Sequence, residues 1–528
     1  MYIEPRTNIK ILKNVPLDTS FDHTIYFANA TAQSTYFASK TKYNLTDQTY
    51  QRVRRGWARV SINAENLYDC NYMMFQNTSF GNKWFYAFIT SVEYINNTVS
   101  EIQFELDPMQ SWFFDYEREY CFVERNHTTT DVIGEHIEPE SVEVGEYVYN
   151  ADYHKLIDFT DLCVIIGIVD VTLNTIGSGV DGRVYDRCYS GATYFIYLAS
   201  DITGINALLN SFLQRPDAVV SMYMCPRKMV LADGVGIPQD HKLPNNHIAP
   251  HYIVNEPAIT TQATLDGYKP KNNKMYTYPY NFVHIDDGMG SELYLRYEFF
   301  ASLMPVVDIV GTFTPPAQVV LKPKFYKNSY SQESSAIPIG TENLTLSGFP
   351  MCSWNTDAYE AWYAQNSLPM LGSVAGAVGG IGIAAALGVA VPPLAMVGVV
   401  GMVGNMMIKS YKASIQADIQ KGDFNNANAN FANNYLNFYC GRQSCNRVYA
   451  RMIDDYFTRY GYALNINAIP NINARPHWTF VKTIGCTIKG SIPADDMKSI
   501  CKIYDKGITF WRNASEVGDY SLDNSPTV

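Results

Sequence analysis

The stretch SEIQFELD, residues Ser100–Asp107, indicates the fold class because its side chains alternate strictly in polarity. Ile102, Phe104 and Leu106 lie on one side of an extended chain, and the polar residues between them lie on the other. A period of two predicts a β-strand with one buried and one wet face. The stretch SELYLRYEF, residues 291–299, repeats the pattern. Together they predict antiparallel sheets, arranged as sandwiches or barrels.

Composition agrees with β-structure in more than one domain. The chain has 528 residues, which is too long for one ordinary core. Aromatic residues make up 14% and charged residues only 17%, and aromatic side chains fit the half-buried surface of a sheet. We therefore expect a mainly β protein of the α+β type.

Charge and cysteine usage limit the partners and the compartment. The net charge is −11 and there is no Lys/Arg-rich block, so tight binding of nucleic acid is not predicted. The ten cysteines are scattered and most have apolar neighbours, which favours free, buried thiols in a reducing cytoplasm. The N-terminus lacks the apolar core of a signal peptide, so we expect synthesis in the cytoplasm without secretion.

Element patterns divide the chain into five parts. Short strands and turns fill residues 1–125, and residues 126–285 mix strand and helix signals in an inserted α+β domain, with an N-cap candidate at Asp201. Strand patterns return over residues 286–350. A long apolar segment with a polar helical flank spans residues 351–440, and strand and helix signals resume over residues 441–528.

Specific catalytic motifs are missing from the sequence. It contains no phosphate-binding loop, no G-x-S-x-G elbow and no H-E-x-x-H helix. Asp454 and Asp455 are adjacent in a predicted helix, so they do not share a face and do not suit an acid/base pair. We expect a protein that is not an enzyme and holds no cofactor.

Three short patterns resemble parts of metal sites, but each has a simpler interpretation. His241, His247 and His251 lie in a Pro/Asn-rich loop without zinc spacing. The pair in Cys440–Cys445 has no second cysteine pair nearby. Asp286–Gly288 lacks the further acidic residues of a calcium loop and is typical of a hairpin turn. The sequence therefore predicts no metal site.

One segment differs from the rest of the chain, because residues 361–408 contain no charge. Residues 371–391 reach the roughly 20 apolar residues that span a bilayer, and residues 394–408 form a shorter second arm. Pro392 and Pro393 separate the arms, which predicts a helical hairpin with its tip at the prolines. Nine glycines between residues 371 and 408 weaken a helix in water and make the segment less apolar than a resident anchor.

Small residues recur at every fourth position of the first arm, so they form one smooth helical face that allows close helix packing. This pattern favours a hairpin that is shielded by protein and later enters lipid. The predicted membrane-active residues are Leu371, Gly372, Gly376, Gly380, Ala384, Gly388, Val391, Pro392, Pro393, Leu394, Val399 and Val400. A buried hairpin of a soluble core and a permanent membrane anchor are the two alternatives.

Several blocks resemble a known family. The stretch MFQNTSFGNKWFYAFIT, residues 74–90, resembles the distal tail, or tail-knob, proteins of small short-tailed bacteriophages that infect Gram-positive bacteria. The resemblance continues at FELD (104–107), QSW (110–112), YPY (278–280), RYGY (459–462) and DKGITFW (505–511). It covers most of the chain in order and spacing, and it is weakest over residues 126–270.

The resemblance implies a virion protein of the tail tip. Such proteins are similar to tail-tube proteins, whose β-barrel domains form a homohexameric ring around a DNA channel, with an insertion that thickens the knob. A long hydrophobic, partly helical loop from each subunit plugs the tube and then enters the host cytoplasmic membrane as a pore. Here the matching loop is residues 361–408. The implied partners are upper tail or collar connector proteins, a tail-tip peptidase or hydrolase, membrane lipid, and phage DNA that passes without specific binding.

Two rival functions make different predictions. A receptor-binding or adaptor tail protein, whose hydrophobic loop only clamps the assembly, predicts adsorption to the host cell wall. A wall hydrolase predicts paired carboxylates or a metal in one cleft, and the sequence offers no support for it.

Overall fold

The computed structural model describes most of the chain outside the hydrophobic segment. The described residues are 6–48, 56–150, 153–157, 161–168, 183–185, 188–190, 193–212, 218–231, 234–243, 251–254, 263–288, 290–300, 305–311, 319–326, 344–346, 351–355 and 437–526. The chain forms two compact units. Unit 1 comprises Met1–Gly145, Tyr268–Met275 and Arg447–Val528, and unit 2 comprises Glu146–Gly267 and Tyr276–Asn446. The predicted five-part division stays a prediction.

Unit 1 is built from two main sheets and the helices around them. Its strands are β1 (Thr7–Lys13), β2 (His23–Ile25), β3 (Thr41–Gln48), β4 (Trp57–Val60), β5 (Cys70–Asn77), β6 (Trp84–Asn96), β7 (Val99–Leu106), β8 (Tyr116–Arg118), β9 (Cys121–Asn126), β25 (Tyr462–Ala468), β26 (Trp478–Ile484), β27 (Ile488–Gly490) and β28 (Ile508–Trp511). Its helices are α1 (Ala30–Ser39), α2 (Pro108–Ser111), α4 (Arg447–Tyr460) and α5 (Ala494–Lys506).

The first sheet of unit 1 is an antiparallel six-stranded sheet in the order β3-β1-β5-β6-β7-β4. Residues from alternating positions of its strands pack on opposite sides. Tyr72 and Met74 join Phe37 of α1 in one cluster, whereas Met73 joins Ile11 and Ile102 in the other. The predicted strand at residues 100–107 is confirmed as β7, with Ile102 fully buried.

The second sheet has the order β2-β28-β26-β9-β25, in which only the β2–β28 pair is parallel. Helix α5 packs on one face, where Ile500 contacts the cluster of Val481 and Phe510. Helix α4 lies on the other face, because Tyr460 stacks edge-on against Phe480, the neighbour of Val481 in β26. Each face of β26 is therefore covered by one helix.

Unit 2 contains three larger sheets. Its strands are β10 (Tyr147–Tyr149), β11 (His154–Lys155), β12 (Leu162–Ile168), β13 (Arg183–Tyr185), β14 (Cys188–Ser190), β15 (Thr193–Leu198), β16 (Val219–Pro226), β17 (His251–Val254), β18 (Asn281–Asp286), β19 (Glu292–Leu295), β20 (Val306–Gly311), β21 (Val319–Lys324), β22 (Leu344–Leu346), β23 (Met351–Asn355) and β24 (Tyr439–Cys445). Among the described residues of unit 2, helix α3 spans Ile202–Ser211, and Asp201 caps it by accepting a hydrogen bond from Gly204 N, as predicted.

The sheets of unit 2 have the orders β15-β12-β16-β23, β10-β24-β18-β19 and β17-β20-β21-β22. Strand β11 also pairs with β24, and β13 and β14 form a separate hairpin. Strand β12 is buried along its whole length. Val164 and Ile166 belong to the large core with Ile285, whereas Ile165 packs in a second cluster. The apolar run at residues 162–168 is thus a strand covered on both faces.

The mainly β prediction is confirmed by this architecture. One detail of it is wrong: the strand predicted over residues 291–299 ends at Leu295, and Tyr297–Phe299 form a 3-10 turn. Tyr297 is nevertheless fully buried, which explains why the alternation in sequence continued past the end of the strand. Within the described ranges, no helix is long and apolar enough to cross a membrane.

Candidate functional site at the root of the hydrophobic segment

The predicted membrane-active residues, from Leu371 to Val400, lie outside the described residues. The described chain ends before them at Asn355 in β23 and resumes after them at Asn437. Both β23 and β24 belong to unit 2. We call these two ends, β23 before the hydrophobic segment and Asn437 after it, the departing and the returning root.

The returning root is held by buried hydrogen bonds. Asn437 is fully buried, and its side chain accepts from Ile157 N (2.9 Å) and donates to Ile157 O (2.8 Å). Leu156 N donates to Phe438 O (2.8 Å), and Phe438 is also fully buried. Buried polar groups satisfied in this way resist local opening. The chain is consequently fixed from Asn437 onward.

The departing root lies at the edge of its sheet among the strands that the structure describes. Strand β23 pairs with β16 in the register Met222↔Trp354 and Met224↔Met351. By contrast, β24 lies between β10 and β18 in its sheet. The two roots thus differ: the segment leaves from a sheet edge and returns into the centre of another sheet.

Tyrosines cover the outer face of the β24 sheet. Cys440 of β24 faces the core with Ile285, so Tyr439 and Gly441 face the other way. A Cβ on Gly441 would lie 2.7 Å from the Tyr149 ring, so glycine lets that ring lie flat on the strand. We call Tyr149, Tyr153, Tyr294 and Tyr439, with His284 between them, the tyrosine face.

Hydrogen bonds fix the rings of the tyrosine face. The Tyr149 hydroxyl bonds with His284 Nδ1 (2.7 Å), and His284 Nε2 bonds with Glu292 Oε2 (3.3 Å). With its proton on Nε2, the imidazole accepts from Tyr149 and donates to Glu292. The Tyr153 hydroxyl donates to Asp286 Oδ2 (2.7 Å). These bonds use the hydroxyl groups of Tyr149 and Tyr153 and hold both rings in place.

Neighbouring carboxylates shape the electrostatics of this face. A hydrogen bond with Glu292 raises the pKa of Tyr294 to about 12 and lowers the pKa of Glu292. Burial, followed by the hydrogen bond with Asp286, raises the pKa of Tyr153. Tyr153 and Tyr294 are therefore neutral at physiological pH.

The three patterns that resemble metal sites are placed in ordinary surroundings. His241 stacks on Tyr197 (4.1 Å between ring centroids), and His247 lies outside the described residues. Cys440 and Cys445 are five positions apart on β24, so their side chains point to opposite faces. The described part of the chain contains no cluster of His, Cys, Asp or Glu that could hold a metal ion.

The turn predicted at Asp286–Gly288 is confirmed. Asp286 pairs with Glu292 at the end of the β18–β19 hairpin. Asp286 Oδ1 accepts from Gly288 N (2.9 Å), and Asp287 Oδ1 accepts from Ser291 N (3.0 Å). The carboxylates thus cap a turn.

Sequence reasoning did not predict the burial of two carboxylates in unit 1, Asp454 and Glu140. Asp454 of α4 is fully buried and accepts from the Tyr268 hydroxyl (2.8 Å) and from Lys271 N (2.8 Å). Glu140 is also fully buried; it accepts from Lys274 Nζ (2.6 Å) and is paired with Arg125. Both hold the segment Tyr268–Met275. The one signal of this burial in the sequence was the position of the Asp454 carboxylate on the apolar face of α4.

Comparison with known proteins decides the family. Residues 250–525 match the family model of the C-terminal domain of the tail knob protein gp9 of Bacillus phage phi29. That range is more than half of the 528 residues. The chain belongs to this tail knob family. Residues 5–117 of the tail knob chain also match the model of the N-terminus of caudoviral major tail proteins.

Individual relatives extend over the whole tail knob chain. It is 25% identical to the tail knob protein gp9 of Bacillus phage phi29 and 26% identical to that of Bacillus phage B103, each over 98% of both chains. The structure of the bacteriophage C1 tail knob protein gp12 matches with a TM-score of 0.56 and 14% identity, covering 98% of this chain and 99% of that one.

These findings confirm the family resemblance and the coarse function. The chain is a structural, non-enzymatic tail knob protein of a phage tail and hence a component of the virion. The mainly β architecture is shared with the phage C1 protein.

Proposed function

We propose that this tail knob protein forms an oligomeric tube for DNA ejection, plugged by the hydrophobic segments until they are released into the host cytoplasmic membrane. The uncharged run of residues 361–408, connected at both ends to strands of one compact unit, carries the proposal. An apolar segment of bilayer-spanning length needs either protein or lipid around it.

The structure of the two roots is compatible with a hydrophobic segment that is released while the rest of unit 2 stays folded. Asn437 and Phe438 are fully buried at the returning end, and β23 is paired along one side at the departing end. Fixed ends let the segment move without unfolding its unit. The Gly/Ala stripe supports the same proposal, because small residues allow apolar helices to pack closely in a lumen and again in lipid.

The tube part of the proposal rests on the N-terminal region. Residues 5–117 match a major tail protein model, and they contain the six-stranded sheet of unit 1. The net charge of −11 does not favour holding DNA phosphates, which suits rapid passage. We propose a homohexamer at the tail tip, attached to upper tail or collar connector proteins and accompanied by a tail-tip peptidase or hydrolase.

Deletion of residues 371–408 tests the membrane role. The deleted protein should assemble like wild type in electron micrographs but should lose dye release from anionic liposomes. A variant with Pro392→Ala and Pro393→Ala is the matched control for the hairpin, because it keeps the apolar length and should release dye more slowly. Wild-type leakage from the deleted protein would contradict the proposal.

A receptor-binding or adaptor role is the alternative for the same protein. In that case the hydrophobic segment only clamps the assembly, so the deletion should dissociate the oligomer. Neither wild type nor the deleted protein should then release dye from liposomes. Light scattering of the purified deletion variant separates the two roles.

A further inference from the structure

The tyrosine face offers a second binding function that does not use the hydrophobic segment. We propose that it binds an uncharged, β-linked N-acetylhexosamine glycan, the chemistry of the sugar strands of peptidoglycan. The tail knob would then contact the wall polymer that it has to pass before it reaches a membrane.

Ring geometry is the first argument. His284 lies directly opposite Gly441 on one side and Tyr294 on the other, and the Tyr149 ring rests on Gly441. The ring centroids of Tyr149 and His284 are 6.0 Å apart, and those of His284 and Tyr294 are 5.1 Å apart. The rings are tilted by 54° and 34° from one another and His284 is only 7% exposed, so the row offers its two outer rings, Tyr149 and Tyr294, to a ligand. Sugars with equatorial substituents have flat C–H faces, which stack on aromatic rings.

Exposure and rigidity are the second argument. Tyr149, Tyr153 and Tyr294 are 45%, 46% and 42% exposed, although hydrogen bonds hold the hydroxyls of Tyr149 and Tyr153. Large aromatic surfaces that are already ordered lose little entropy when they bind a partner. The face is thus built for contact rather than left over from packing.

Charge is the third argument, and it selects the kind of glycan. Asp286 and Glu292 lie among the rings and accept hydrogen bonds. Sugar hydroxyls and N-acetyl N–H groups are donors that match these carboxylates. Phosphate-bearing wall polymers are repelled by the same charges. The face is therefore complementary to a neutral N-acetylated glycan.

Binding of chitohexaose to the full chain tests the proposal by calorimetry. Wild type should bind, and the double variant Tyr149→Ala/Tyr294→Ala should bind roughly tenfold more weakly or worse, the equivalent of about 1.4 kcal/mol. Gly441→Ala should also weaken binding without removing a ring, because the new methyl displaces Tyr149. The matched control is Tyr94→Ala/Tyr120→Ala, which removes two exposed tyrosines of unit 1 and should bind like wild type.

Circular dichroism and thermal unfolding first establish that each variant is folded. No binding at millimolar chitohexaose, or equal affinities of the two double variants, overturns the proposal. Tighter binding of poly(glycerol phosphate) overturns the choice of a neutral glycan, and loss of oligomers in the Tyr149/Tyr294 variant assigns the face to a subunit interface instead. The deletion of residues 371–408 should leave chitohexaose binding unchanged, so this proposal and the membrane role can fail separately.

Discussion

His127 should make unit 1 less stable in mild acid. The ring is almost fully buried; Nδ1 accepts from Phe480 N (2.8 Å) and Nε2 bonds with Thr458 O (3.1 Å). A backbone N–H can only donate, so Nδ1 carries no proton and the ring is neutral. Burial, followed by the nearby charge of Arg475, lowers the pKa of His127 to about 3.

The sign of the effect follows from proton binding. In the unfolded chain the pKa is near 6.5, so between about pH 3 and 6.5 the unfolded state binds the extra proton. The contribution is fully present above pH 6.5 and is lost as the pH falls. At about 1.4 kcal/mol per pH unit, unfolding becomes about 2 kcal/mol easier at pH 5 than at pH 7. Asp107 opposes this loss, because burial raises its pKa to about 6.

A variant without a titratable group at position 127 separates the pH effect of His127 from that of Asp107. His127→Gln lacks the imidazole, and we expect it to lose one hydrogen bond at every pH, about 1 kcal/mol. Wild type should therefore be about 1 kcal/mol more stable than the variant at pH 7 and about 1 kcal/mol less stable at pH 5, a change of about 2 kcal/mol. Asp107 is present in both chains and cancels in this difference.

Hydrogen exchange of a peptide that contains Phe480 measures the gap in local stability between wild type and His127→Gln. Its amide donates directly to His127, and comparing both chains at the same pH removes the intrinsic exchange rate. Between pH 8 and pH 7 the gap should stay nearly constant, which is the internal control. A gap that is the same at pH 7 and pH 5 would refute the buried neutral ring.

His127 also lines a cavity of about 10 Å³, which has room for about one water.

Two further changes test the packing of unit 1. Glu140→Gln should destabilise the protein by about 3 kcal/mol or more in urea unfolding, because Lys274 and a buried arginine lose their counter-charge; the control Glu138→Gln, on an exposed residue, should stay within about 0.5 kcal/mol. Gly461→Ala should lower the melting temperature far more than Gly485→Ala. Both glycines have φ +66°, but only at Gly461 would a Cβ lie 2.6 Å from backbone atoms. Equal effects would show that backbone conformation alone decides the cost.

Local patterns predicted much of the fold. The alternation at residues 100–107 became a strand, and Asp201 became a helix cap. Such features depend on neighbours within a few residues, so they are readable without a structure. The end of β19 could not be read from the sequence, because Tyr297 is buried by its position in unit 2 rather than by strand geometry.

The amino-acid sequence alone shows an uncharged, glycine-rich segment and predicts a mainly β chain, since charge, composition and residue spacing are properties of the chain. Which distant residues share a surface follows from the folded structure alone. Tyr149, His284 and Tyr294 form one row because four strands, β10, β24, β18 and β19, pair in a particular register. Glu140 meets Lys274 across a long stretch of chain in the same way. Strand register and loop closure are set by the free energy of the whole core, so no local pattern encodes these contacts.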